Sequence, residues 1–275
     1  MDVFNIGDSI LEMITEWLES GVDIFIQFIE NILLNYDGLA GIALDAYNLF
    51  VWLSGLLLVV VCLGKVIAML LSEAEGSTEA NAWNIILDTV KAGLLLVLMP
   101  FVISVTMNIV KALSEFFFSD IGISLKESIN TLIESDSFNE AFGGLMSNLL
   151  VWLFVLIVVA LFVIKMFIAQ ANILILEVLS PMVAISIAND SFDFTETWAR
   201  DLLSHAVTIV VSVISMALFT EAITANHDTI WSMLPAMVGS GALVISGPTL
   251  VKNIWFSSGA GRAGGNIIRM ATLRR

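Results

Sequence analysis

A single cysteine, Cys62, occurs in the sequence, so no disulfide can form within the chain and cysteine usage is silent on redox compartment. Charge is scarce as well. Only 13% of residues are Asp, Glu, Lys or Arg and 58% are hydrophobic, whereas soluble domains carry about 25% charged and about 45–50% apolar residues. A water-soluble fold cannot hide that much apolar surface. There are 2 histidines; His205 lies one helical turn from Asp201 and His227 stands apart, too few convergent groups for a metal site or a catalytic centre. No catalytic residue, metal or cofactor is expected, and the chain does not read as an enzyme. Cations are the rarer sign, 11 Lys and Arg against 26 Asp and Glu for a net charge of −15, which excludes a general nucleic-acid surface. Met1 to Asn5 lack a positive n-region, so no cleaved signal peptide is expected.

What the sequence does contain is uncharged runs of spanning length, about 20 residues each. The expected fold is an all-α, polytopic integral membrane helix bundle with spans near 45–66, 90–111, 144–166, 201–221 and 230–252. A further apolar stretch, 167–189, is long enough but carries Glu177 at its centre, and a charge there costs about 2.5–3.5 kcal/mol on insertion scales. Orientation decides its fate. Lys and Arg near span ends collect on the cytoplasmic side, and no cation precedes Lys65, while Lys252, Arg262, Arg269, Arg274 and Arg275 follow the last span. This predicts an outer N-terminus, an inner C-terminus and an odd number of crossings. Five spans place nine cations inside and leave Lys111 and Lys126 outside. The 167–189 stretch is then a re-entrant or interfacial segment covered by protein.

Residues 1–43 are expected to form an extracytoplasmic amphipathic helical segment. Asp8, Glu12, Glu16, Glu19, Asp23, Gln27 and Glu30 recur every three or four positions, along one helical face. Either this stripe is the solvated side of an interfacial helix, or copies in a ring turn it toward a water-filled lumen. Gly21, and Asn35 with Gly38, are expected breaks. The outer loop 112–143 repeats the amphipathic theme, with Phe116, Phe117 and Phe118 and capping-box spacings at Ser124/Glu127 and Ser137/Glu140. Glu177 needs protonation, a partner or water, with Lys165 and Arg200 as candidate partners. It reads as a polar point in a conduction path or as a structural ion pair. Pro100 and Pro181 are expected to kink their helices. Gly239, Gly241, Ala242, Ser246 and Gly247 form a low-profile surface for close packing between neighbouring helices or subunits. Gly259, Gly261 and Gly264 match a dinucleotide spacing in form alone, since no strand precedes them. Residues 253–275 read as a basic, Gly-rich cytoplasmic tail suited to anionic lipid or DNA phosphates.

The stretch Glu177–Ala184, with Pro181, followed by Thr195, Thr197, Trp198, Arg200, Asp201 and Leu203, resembles a passage in TrbL-type membrane proteins of conjugation and type IV secretion machines. The resemblance covers roughly 146–251. It implies a homo-oligomeric ring, a pentamer, in the bacterial cytoplasmic membrane, acting as a channel or pilus-assembly platform. Its implied partners are other secretion subunits, separate ATPases, membrane lipids, and transferred DNA or pilin. The alternative is a secondary transporter with a small-molecule or proton site near Glu177; the inverted repeat that would favour it is not evident.

Overall fold

The computed structural model describes residues 3–28, 38–76, 82–118, 145–189, 193–224 and 230–257. They form six helices: α1 (Val3–Phe28), α2 (Ile42–Ala74), α3 (Ala82–Phe118), α4 (Leu145–Ser186), α5 (Thr195–Thr224) and α6 (Ile230–Ser257). Among the described residues there is no strand. Four of the helices, α2 to α5, are long and apolar enough to cross a bilayer, and α6 carries a shorter apolar run, Leu234–Gly247. The protein is a polytopic membrane helix bundle.

Local chemistry sets the helix ends. Gly38 (φ +72°) and Gly41 (φ +54°) precede α2 in a backbone region that side-chain-bearing residues rarely adopt. Gly76 (φ +76°) closes α2, with the Glu75 amide donating to the Leu71 carbonyl. Asn35 lies outside the described residues, as do both capping-box pairs of the outer loop. Between α4 and α5, the Ala188 and Asn189 amides donate to the Ile185 and Ser186 carbonyls, and Asp193 accepts from the Thr195 amide to start α5.

One expectation needs correcting. Gly21 does not interrupt α1, which runs through it unbroken. A Cβ there would sit 3.3 Å from Leu156 Cδ1, so glycine is used for close approach and not for a turn. α4 is one helix of 42 residues, about 63 Å long at 1.5 Å per residue. It takes in residues 167–186, with Pro181 accommodated inside the helix. The helix is about twice the ~30 Å hydrocarbon thickness. The other helices also overrun their expected spans, and α3 takes in Phe116 to Phe118 of the outer segment.

The chain divides into two compact units, one of residues 1–35, 110–168 and 207–275, the other of 36–109 and 169–206. In the first, Trp152, Phe162, Met166, Ile209, Met216 and Phe219 are fully buried, and the Phe154 and Phe219 rings lie 6.0 Å apart. α1 joins that core through buried Val22 and through Phe28, whose ring is 5.2 Å from that of Phe167. In the second, the indole N–H of Trp198 donates to the Leu176 carbonyl at 3.0 Å, tying α5 to α4. Lys65 Nζ of α2 meets Asp88 Oδ2 of α3 at 2.8 Å.

Candidate functional site

The polar stripe of α1 is the most extended chemical feature of the first unit. At 100° per residue, its members fall on one side of the helix, and a single broad apolar arc takes up the rest; within it Val22 is buried and the Phe28 ring meets Phe167 at 5.2 Å, whereas the arc also carries Ile10, Met13, Trp17 and Ile24. All four of the latter are exposed, Trp17 most of all. Glu16 and Gln27 are exposed, while Glu19 and Asp23 are half-buried. Asp8 and Glu12 belong to the helix; Glu30 lies outside the described residues. α1 therefore presents a polar stripe and one broad apolar arc, part of which is already used within the chain.

In the second unit Glu177 is buried, 7% exposed, on α4, within electrostatic reach of Tyr47 on α2. Pro181 and Trp198 are buried on α4 and α5, whereas Arg200 and Asp201 face outward. Neither cation expected beside Glu177 pairs with it. Arg200 pairs with Glu196, one turn earlier on the exposed side of α5, the favourable i, i+4 arrangement. Lys165 instead donates to the backbone carbonyl of Val244 on α6, at 3.3 Å within the first unit.

A cationic feature that pattern reading missed sits on the α2–α3 hairpin. Asp88 binds Lys65 through one carboxylate oxygen at 2.8 Å and Lys91 through the other at 3.3 Å. The two lysines thus share one end of the hairpin, and the signal was the lone carboxylate three residues before Lys91. Beside them, Cys62, Val66 and Met69 of α2 and Ile85, Ile86 and Val90 of α3 line an apolar groove of about 400 Å³. Thr89, also in the groove, spends its hydroxyl on the Ile85 carbonyl, so apart from the Cys62 thiol the groove offers hydrocarbon.

The small residues of α6 divide between two faces. A Cβ on Gly241 would lie 3.1 Å from Phe154 and 3.2 Å from Val158, and one on Gly247 only 2.9 Å from Ser215 Oγ. These two glycines admit α4 and α5 of the same chain. Gly239, Ala242 and Ser246 face outward, with open space around Gly239. One expected surface is therefore an internal seam and an external strip. Arg262, Arg269, Arg274 and Arg275 lie outside the described residues. Among the described residues no three His, Cys, Asp or Glu side chains gather as metal ligands would.

No curated protein and no solved structure matches the chain. A family model described as conjugal transfer protein TrbL matches residues 3–275. That match takes in every described helix, from the acidic stripe of α1 to the end of α6, and so the chain belongs to the TrbL family of conjugal transfer proteins, multi-pass membrane components of conjugal type IV secretion.

Proposed function

We propose that the protein is a homo-oligomeric channel or assembly-platform subunit, forming a ring in the bacterial cytoplasmic membrane with its N-terminus outside and its C-terminus inside. The observation that carries this reading is the apolar arc of α1, which its own chain covers only in part. Part of that arc is consumed by packing against its own chain, and the part bearing Trp17 and Ile24 stays exposed. An apolar face left over beside a charged stripe suits a helix wedged between its own bundle and a neighbouring copy. In a ring, that wedge turns Glu12, Glu16, Glu19 and Asp23 toward a central aqueous path, where carboxylates at membrane depth are tolerated. Lys65 and Lys91, gathered by Asp88, support an inner end for the α2–α3 hairpin. Five crossings remain the count that agrees with the charge bias. Other secretion subunits, their ATPases and lipid are the partners in this scheme, with DNA or pilin as cargo and the basic tail inside. In this scheme Glu177 is a polar anchor of the α4–α5 hairpin, with no enzymatic role.

The test replaces Glu12, Glu16, Glu19 and Asp23 together with Gln and measures conjugal transfer. Insertion is checked in a Cys62-free background by modifying a cysteine at Ser20 with a membrane-impermeant thiol reagent in intact cells. Modification at position 20 with transfer reduced roughly tenfold or more, the scale on which focused charge alters passage rates, is the expected result. Unchanged transfer removes the lumen-facing stripe, and an unmodified position 20 removes the outer N-terminus. A transporter centred on Glu177 would instead leave the quartet without effect on transfer and purify as a monomer.

A further inference from the structure

Two of the helix prolines leave a carbonyl that the structure caps in different ways. Proline has no amide hydrogen, so a proline inside an α-helix deprives the carbonyl four residues earlier of its usual donor. At Pro181 that carbonyl belongs to Glu177, and Ser180 Oγ, from the same helix, donates to it at 2.8 Å. At Pro248 in α6 the carbonyl belongs to Val244, a fully buried residue, and the donor comes from another helix: Lys165 Nζ of α4 at 3.3 Å. The first cap travels with its helix. The second is a tie between helices.

We propose that Lys165 supplies, from α4, the hydrogen bond that Pro248 removes from α6, and thereby fixes the direction in which the end of α6, and the basic tail after it, leave the bundle. Each group answers the other's need. A lysine flanked by buried Phe162, Val163 and Met166 is costly at membrane depth without an acceptor, and a buried carbonyl without a donor is costly in a medium that lacks water. The joint is also sterically set. Gly247, directly before the proline, lies against Ser215 with no room for a side chain, so α6 is pressed against α5 at the level where its own hydrogen bonding is interrupted. Beyond this point come Lys252 and the four tail arginines. Lys165 is thus a positioning residue for the cationic end of the chain, a role separate from any inner-side topology signal and independent of whether copies form a ring.

The test is a double-mutant cycle on the full-length protein in detergent. Lys165→Met is expected to lower the melting midpoint by about 3 °C. It should also broaden the distance distribution between spin labels on cysteines placed at Ile168 and Asn253, with Cys62 replaced. Pro248→Ala restores the missing amide hydrogen, so adding Lys165→Met to it should cost less and leave the distribution narrow. Lys165→Arg, which retains a donor, should behave as wild type. If Lys165→Met alone fails to accumulate, recovery of folded protein by Pro248→Ala is the same expected result, and no recovery overturns the proposal. Equal damage from Lys165→Met with and without Pro248→Ala, or no effect in either background, overturns it as well.

Discussion

α2 and α4 are close to interchangeable by composition and opposite in use. Their most apolar stretches have mean hydropathies of 2.5 and 3.0, yet 6% of that stretch is buried in α2 and 44% in α4. In water such a difference would be impossible, since an exposed helix needs a polar face. Lipid removes that requirement. It makes Leu57, Val60 and Leu63 on α2 as comfortable outside as Val155, Val159 and Phe162 on α4 are inside. Hydrophobicity therefore locates a helix in the membrane, and only fit decides whether it belongs to the core.

The largest test of this contrast compares aromatic truncation on the two helices. Phe162 is fully buried and Trp52 is 64% exposed. Phe162→Ala should cost about 3 kcal/mol, chiefly through lost packing and an unfilled cavity. Trp52→Ala, which removes a larger side chain, should stay within about 0.5 kcal/mol. Reversible unfolding in detergent measures both. Equal losses would mean that α2 is covered in the folded protein by something other than lipid or detergent.

A second, smaller contrast lies on α6, where two glycines sit two residues apart. Gly241→Leu drives a side chain into Phe154 and Val158 of α4, and should destabilise by about 1–3 kcal/mol. Gly239→Leu enters open space and should leave the monomer unaffected. Because Gly239 is on the outward strip, a loss of oligomer from Gly239→Leu with the monomer melting point unchanged would locate a subunit contact there. Size-exclusion chromatography beside the melting curve separates the two effects.

Much of this architecture was legible from residues alone, and the failures share a cause. Helix type, the long apolar segments and the periodic carboxylates of α1 follow from composition and spacing, which are local. Gly21 was misread because a glycine that admits Leu156 and a glycine that breaks a helix look the same without the partner helix. The small residues of α6 read as one surface because their sequence clusters, although the helical turn assigns Gly241 and Gly247 to one side and Gly239, Ala242 and Ser246 to the other. Lys165 and Arg200 suit Glu177 by charge alone. In the fold, Arg200 finds Glu196 one turn away, and Lys165 finds a backbone carbonyl, an acceptor present at every position and so invisible to a search for opposite charges. The continuity of α4 past residue 166 is likewise invisible to the cation bias, which counts crossings and not helix ends; Glu177 is a buried member of one long helix.

The smallest expected effect concerns what holds α2 in place, given how little of it is buried. Among its polar groups, Lys65 ties it to Asp88 of α3, and the two side chains are about 20% and 21% exposed. A partly shielded pair of this kind is worth more than a surface pair, whose usual contribution is about 0–1 kcal/mol, but less than the several kcal/mol of a fully buried one. Asp88→Asn keeps the shape and removes the charge that gathers Lys65 and Lys91. It should therefore cost about 1 kcal/mol of stability, and less at high salt to the extent that the Lys91 arm is exposed to screening. If α2 is held mainly by this pair, the loss should appear first as faster alkylation of Cys62, which lines the groove between α2 and α3, before any change in global melting. Unaltered Cys62 reactivity in Asp88→Asn would mean that apolar contact with α3 suffices, and that even the least buried of the four long apolar helices is positioned by shape.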